Sequence, residues 1–309
     1  MAFENTVAAE LSLAKIMDVV LTAFVAEILP LRAFSLGINP QAQTLNALRT
    51  AKLEVPYIPL QTGNTVKDFD AAAGDCYVRG NTSTLKREVT INKRKYLPWG
   101  LTSWQGATTP LLQNAPFAEI FGRQLASTVI TDILSVVTAA NFANELVVGA
   151  AAAFDTNDVF DIRKELNRLK FPAVGRSLIL TPDYDTALLK DNKDTNLYGS
   201  TDPRWNARIP RLAGMDEYGT TAFDGNTDVD AGIVSFPSAI LVAMAPLQPL
   251  DSVRAKLIDF QIFTHEESGI SLVYKRMADE FCDTELELVE CTYGYAVGQE
   301  EALLRLEAA

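Results

Sequence analysis

Residues 85–104, LKREVTINKRKYLPWGLTSW, place a charged strand pattern directly ahead of a long apolar helix. Val89 and Ile91 alternate with Glu88, Thr90 and Asn92, the period-two signal of a strand. Asn92 to Lys95 reads as a polar tip, and Tyr96 to Thr102 as a return strand broken by Pro98 and Gly100. A hairpin with so little apolar surface is marginal on its own in water, so it must lie on something else. An outstretched arm joined to a long helix fits a subunit that holds its neighbours better than a pocket that holds a substrate.

The helix is expected from Pro116, a good first-turn residue, with Asn114 as its cap. Phe117, Phe121, Leu125, Val129, Ile133 and Val137 form an i,i+4 ladder that Ile120, Ile130 and Leu134 widen. A helix from 116 to about 143 would be roughly 40 Å long, the length of a spine. Near the start, Asn5 or Thr6 can cap a second helix that Pro30 ends. Its stripe is Val7, Leu11, Ala14, Met17, Leu21, Phe24 and Ile28, and nothing adjacent in sequence is its partner, so another part of the assembly or a partner protein is expected to cover it. From Pro30 to Ala73 four prolines make the chain read as an arm or connector.

Farther on, Asn157 caps a helix with Val159, Ile162, Leu166 and Leu169 inside, stopped by Pro172. Ser177 to Leu180 is a buried strand, and Thr181-Pro182 starts another helix. Residues 191–205 read as a polar loop. The last third is mostly strand: Gly232 to Phe236, Ile240 to Ala245, a hairpin of 256–264 with 269–277 turning at His265 to Ser268, and a final segment in which Leu286 and Leu288 alternate with glutamates.

Composition narrows the function classes. The chain has 309 residues, with 39 acidic against 27 basic side chains and a net charge of −12. A surface so acidic repels a phosphate backbone, which argues against a general nucleic-acid binder. Cys76, Cys282 and Cys291 are odd in number and have no CxxC spacing, the pattern of buried free thiols in a reducing compartment, although Cys282 and Cys291 could meet across the final strands. The start MAFENTVAAE has no basic n-region, so no secretory leader is expected. The run Ile16 to Ala26 is too short to span a bilayer, which needs about 20 residues, so no membrane partner is expected.

No strong catalytic motif is present: GxSxG, HExxH, GxGxxG and GxxxxGK[ST] are all absent. His265 is the one histidine and sits in a predicted turn beside two glutamates, where a solvated group is the plain reading. The run Asp224 to Asp230 begins like a calcium loop, but Val229 stands where the loop needs glycine and Ser235 where it needs glutamate. An acidic surface turn is the plain reading. Thus no catalytic residue, metal site or cofactor is expected. Lys86, Arg87, Lys93, Arg94 and Lys95 are the basic cluster, with Tyr96 and Trp99 beside it. They can contact an acidic neighbouring subunit or nucleic acid, or simply keep a strand edge solvated. Given the acidic total, intersubunit contact is the expectation for all seven.

The order of elements resembles the major capsid proteins of tailed bacteriophages, the Hong Kong ninety-seven type fold shared with encapsulin shells. RSLILTPDYDTALLKDN (176–192) looks like the strand, Thr-Pro cap and helix of the family's axial domain. IPRLAGMDEYGTTAF (209–223) looks like its Gly-and-strand segment, AGIVSFPSAILVAMAPLQP (231–249) like its paired axial strands, and ISLVYKRMAD with CTYGYAV like its closing strands. The resemblance covers the whole chain and implies an α+β fold. It divides the chain into an N-terminal arm (1–74), an extended β-hairpin loop (75–108), a peripheral domain with the spine helix (109–156), an axial domain (157–250) and return strands of both domains (251–309).

The function implied is self-assembly into hexamers and pentamers of an icosahedral head that encloses double-stranded DNA without reading its sequence. No long helical N-terminal extension is present, so a separate scaffolding protein is implied, together with a portal. The resemblance also places the finished protein in the virion, after synthesis in the host bacterial cytoplasm. Some relatives join subunits by a lysine–asparagine isopeptide bond, for which Lys93 or Lys95 would be the lysine. The alternatives are an encapsulin-like compartment shell and a soluble metabolic enzyme with an unrecognised site.

Overall fold

The computed structural model describes residues 13–38, 52–60, 85–102, 114–191, 211–224, 226–266, 268–279 and 284–308. Helix α1 (Leu13–Glu27) runs into a 3₁₀ turn at Leu29–Ala33 that carries Pro30. Strands β1 (Ser35–Ile38), β2 (Lys52–Tyr57), β3 (Leu85–Thr90) and β4 (Lys93–Thr102) precede the spine, α2 (Asn114–Leu134). Then come β5 (Glu145–Val148), α3 (Thr156–Arg168), β6 (Ser177–Leu180), α4 (Pro182–Asp191), β7 (Arg211–Leu212), β8 (Met215–Gly219), β9 (Gly232–Ser235) and β10 (Ile240–Met244). The chain finishes with a helical turn α5 (Asp251–Arg254), β11 (Asp259–Thr264), β12 (Ser271–Asp279), β13 (Thr284–Val297) and β14 (Leu303–Ala308).

Two sheets organise these elements. The first has the order β1-β10-β13-β12-β11, with β4 also paired to β13. The second has the order β5-β14-β9-β6-β8-β7, and β2 with β3 makes a separate pair. One continuous apolar core joins the two sheets through residues such as Leu134, Phe142, Leu178, Ile233 and Tyr293.

The α1 stripe finds its partner inside the chain. Met17, Leu21, Phe24 and Ile28 are buried, and α1 lies against α2. The cover of the described part of that stripe is thus another part of the same chain and not a partner protein; Val7 and Leu11 lie outside the described residues. The helices approach closely at Gly122, where an added Cβ would sit 2.4 Å from the Val20 carbonyl oxygen and 3.0 Å from the Ala23 Cβ. A sequence scan seeks partners nearby in the chain, and among the described residues four strands lie between these helices.

The stretch read as an arm also enters the first sheet. β1 pairs in parallel with β10, Ser35 opposite Leu241. Residues 85–102 do not fold into a hairpin on themselves. β3 pairs with β2 (Val89 opposite Leu53), and β4 pairs with β13 along its whole length (Lys93 opposite Tyr293, Thr102 opposite Thr284). The apolar side chains decide this. Val55, Val89 and Ile91 form a small core with Leu241, Ala243 and Ala245, which folds the β2–β3 pair over the first sheet. Gly294 lets that crossing happen, since a Cβ there would meet the Thr90 carbonyl oxygen at 2.0 Å. Ile91 turns inward at the corner, so the chain cannot continue straight into a return strand on β3.

The spine is shorter than expected: 21 residues, or about 31 Å. Ile120, expected on its inner stripe, is exposed, whereas Leu125, Val129, Ile133, Leu134 and Val137 are buried. Past Leu134 the chain tightens, the Val137 N–H donating to the Leu134 carbonyl at 3.0 Å. Two asparagine amides then take over the next carbonyls: Asn141 donates to Val136 at 2.8 Å and Asn226 to Val137 at 3.0 Å. These caps release the chain into β5. Helix α3 is capped by Asp155 and not Asn157, in a reciprocal box with Asp158. The strands β9 and β10, expected to pair, lie in different sheets, because the Phe236–Ser238 turn passes the chain from one sheet to the other.

Two substitutions test this packing. Gly122→Ala adds helix propensity worth about 1 kcal/mol, yet it should lower stability by about 1–3 kcal/mol through overpacking against α1. A raised melting temperature would show that α1 is not seated there. Ile133→Asp buries an unpaired charge at a cost of several kcal/mol, and the expected outcome is insoluble protein. A soluble, folded variant would remove that face from the core.

Candidate functional site

The seven residues expected as a contact cluster do not form one patch. β3 carries Lys86 and Arg87. Lys86 pairs with Glu54 on β2, with both side chains more than half exposed. The Arg87 guanidinium donates to the carbonyls of Val297 and Gly298 at the end of β13. These contacts tie the β2–β3 pair to itself and to the sheet.

On β4, alternation divides the rest between two faces. Lys93, Lys95 and Trp99 face the spine. The Lys93 ammonium donates to Asp132 Oδ1 at 2.8 Å and to the Tyr295 hydroxyl at 2.7 Å, and it lies 4.5 Å from the centre of the Tyr295 ring. Tyr293 donates its hydroxyl proton to Asp132 Oδ2 at 2.6 Å. Asp132 therefore joins the spine to β4 and β13 at once. Burial pushes its carboxyl upward, but the hydrogen bonds from Lys93 and Tyr293 outweigh this and hold it below the ordinary carboxylate range. Burial likewise pulls Lys93 down, and the bonds to Asp132 and Tyr295 outweigh it, so the amine is held charged. An ammonium so held is a poor nucleophile, which weighs against Lys93 as the cross-linking lysine. Lys95 adds positive charge near Asp132. Trp99 stacks on Phe121 with ring centres 5.1 Å apart and donates its indole N–H to Glu287 at 2.9 Å.

The opposite face carries Arg94 and Tyr96. Arg94 reaches Glu290 Oε2 at 2.6 Å, and Lys275 on β12 reaches the same oxygen at 2.8 Å. Glu290 has no exposed surface, Lys275 is also buried, and Arg94 is half exposed. Tyr96 is 59% exposed, and among the described residues neither it nor Lys95 has a hydrogen-bond or ion-pair partner.

Sequence reasoning missed Asp132, Glu287, Glu290, Lys275, Tyr293 and Tyr295. A signal existed for some of them. Asp132 interrupts an apolar helix face, and Lys275 and Glu290 interrupt strands that are otherwise rich in apolar residues. What the sequence could not show is that these charges meet.

The other candidates have local roles. The His265 ring accepts from the Ser268 N–H at 3.2 Å and closes its own turn. In the Asp224–Asp230 run, Asp228 Oδ2 accepts from the Ala139 N–H and Asp230 Oδ2 from the Ala308 N–H. Its oxygens thus serve separate backbone groups and do not converge. Arg305, buried beside that run, donates to the carbonyls of Phe142 and Asp228 and pairs with Glu145 and Glu307. Cys291 is a buried thiol pushed up to about 12 by burial and then by Glu290. Cys76 and Cys282 lie outside the described residues.

Removing charges separately should rank these contacts. Lys275→Met leaves Glu290 buried beside one half-solvated partner and should cost about 3–5 kcal/mol. Arg94→Met should cost about 1 kcal/mol or less, and equal losses in urea unfolding would contradict the burial order. Asp132→Asn should cost about 1–3 kcal/mol near neutral pH. Because its folded pKa is depressed, this contribution is complete above about pH 4 and lost as pH falls through the lowered value. Tyr293 is raised by burial and then by its bond to Asp132, so its contribution is complete below about pH 10 and lost as pH climbs beyond that. The stability gap between wild type and Asp132→Asn should therefore close from pH 5 to pH 2. A constant gap would clear the carboxylate of this role.

No protein-family model matches the chain, and no curated protein matches it. Solved structures do. The capsid structure of the cyanophage P-SCSP1u is similar with a TM-score of 0.55 at 10% identity, over 90% of this chain and 86% of that one. A virus-like particle from Pyrococcus furiosus gives 0.49 at 11% identity, over 93% and 97%. The mature capsid of bacteriophage PhiM1 gives 0.47 at 12%, over 84% and 82%. With the cyanophage likeness spanning nearly all of both chains, the chain has the α+β phage capsid fold.

Proposed function

We propose that this chain is the major capsid protein of a tailed phage, a subunit that self-assembles into hexamers and pentamers of an icosahedral shell around double-stranded DNA. The observation that carries the reading is the likeness to the cyanophage capsid chain across 90% of this sequence. The geometry agrees with it. The titratable groups that come together around Asp132 and Glu290 are engaged with one another, as in a structural lock. In this reading the first sheet with α1 and α2 is the peripheral domain, and the second sheet with α3 and α4 is the axial domain. A separate scaffolding protein, a portal and packaging within a host cell belong to the same proposal.

The intersubunit role then narrows. Of the seven expected residues, Tyr96 presents the largest free apolar surface, flanked by half-exposed Arg94. Tyr96 is therefore the proposed anchor on a neighbouring subunit, since aromatic residues are favoured as interface anchors. Reversing Lys93, Arg94 and Lys95 together is a poor test of assembly, because it would break two intrachain ion pairs.

Sedimentation and electron microscopy of the purified protein decide the main reading. Closed particles of megadalton mass are expected, and small oligomers alone would overturn it. Nuclease-protected DNA inside particles from infected cells separates a phage head from a compartment shell filled with protein. Tyr96→Ala should abolish or strongly slow assembly while changing stability by about 0.5 kcal/mol or less, the usual range for a surface change. Wild-type particle yield from this variant would move the contact elsewhere.

A further inference from the structure

β11 is the terminal strand of the first sheet and, among the described residues, pairs only with β12. Its sequence, DFQIFT, joins aromatic and β-branched residues to a single charge. A six-residue segment of that kind on an open edge is a template for strand addition. Exposed Leu250, Val253 and Ile258 precede it in the chain and add apolar surface. The ladder tells which backbone groups are open. The His265 N–H donates to its register partner Ile270 at 2.9 Å, so the odd residues of β11 bond to β12. The N–H groups of Phe260, Ile262 and Thr264 therefore point outward.

The first of these outward groups is already occupied. Asp259 Oδ1 accepts the Phe260 N–H at 2.7 Å, and the Gln261 side-chain amide steadies the same carboxylate through Oδ2 at 3.0 Å. One residue earlier, the Ile258 N–H donates at 2.8 Å to the Arg276 carbonyl, although Arg276 is in register with Asp259. Ile258 and Asp259 thus oppose one residue of β12, which is a bulge that bends the edge.

We propose that Asp259 is an edge guard: its carboxylate, held by Gln261, occupies the outward Phe260 N–H and, with the adjoining bulge, stops strands of other copies from adding to the first sheet. An incoming strand would have to displace a charge-assisted hydrogen bond and face a carboxylate at its first pairing position. The guard leaves side-chain faces as the surfaces through which copies associate. It stands apart from the shell reading, since it operates in any soluble form of the protein.

The test compares wild type with Asp259→Ala, Asp259→Asn and Gln261→Ala. In Asp259→Ala the Phe260 amide should exchange with solvent about tenfold faster or more, the loss expected for a bond to a charged acceptor. The same variant should form thioflavin-positive, open-ended aggregates under conditions where wild type does not. Asp259→Asn keeps an acceptor oxygen and should protect the amide close to the wild-type level. Gln261→Ala, an exposed change that leaves the strand apolar pattern intact, should show the alanine phenotype at smaller amplitude, which keeps the test informative if Asp259→Ala folds poorly. Wild-type exchange and solubility in both Asp259→Ala and Gln261→Ala would overturn the proposal. Whether wild type forms particles has no bearing on this outcome.

Discussion

Glu290 sits without solvent exposure in the middle of the longest strand, and the rest of the first sheet is arranged around that fact. A buried carboxylate costs several kcal/mol unless cations reach it. Lys275 arrives from β12 on one side and Arg94 from β4 on the other. The pairing fixes both registers at once. A slip of one residue in β13 would turn Glu290 toward the spine and drive Cys291 and Tyr293 out of the core. Buried ion pairs add little net stability compared with apolar packing, so the value of this one lies in allowing a single alignment of three strands.

The spine side of β13 repeats the logic with different chemistry. Asp132 takes one proton donor from β4 and one from β13, so the helix can lie on the sheet in only one rotation and one shift. Apolar contacts alone tolerate sliding, since Leu125, Val129 and Ile133 offer similar surface one turn apart. The fold thus places specific polar locks on both faces of one strand and leaves bulk stability to the apolar core. The consequence for function is direct. Basic residues that look free in sequence are structural partners of acids far along the chain, and the charge left at the surface is smaller than the lysine and arginine count implies.

Much of the architecture was legible. The spine ladder, the short buried strand at 177–180, the hairpin closed by His265 to Ser268 and the final alternating strand all announce themselves through local periodicity. So did the α+β capsid fold, because the order of elements survives when identity is only about a tenth. The failures share a cause. Val89 and Ile91 signal a strand but not its partner, which is β2 rather than β4. The α1 stripe signals a buried face but not that Gly122 opens a seat for it. The helix end at Leu134 depends on amides from Asn141 and Asn226, one of them about ninety residues away. The partners of the site residues are hidden for the same reason: Lys93 and Arg94 carry a charge that sequence can count, while the acids that pair with it are visible only in three dimensions.

A subunit that must meet many identical copies faces a constraint that a solitary enzyme does not. Every exposed strand edge is present on every copy, and edge-to-edge pairing repeats without closing. Contacts between side-chain faces carry a defined angle and can close into a finite object. The first sheet is consistent with that requirement on more than one border. β4 carries Pro98 within its length, a residue tolerated in a strand where its missing N–H faces away from the neighbour. β11 lacks proline and instead combines a bulge with the Asp259 carboxylate. Different residues reach the same end by different means, each removing or occupying a donor at the edge. A fold with its edges blocked in this way would direct association toward faces, and on the proposed shell reading the exposed Tyr96, beside a lock that holds its strand in place, is where such a face would lie.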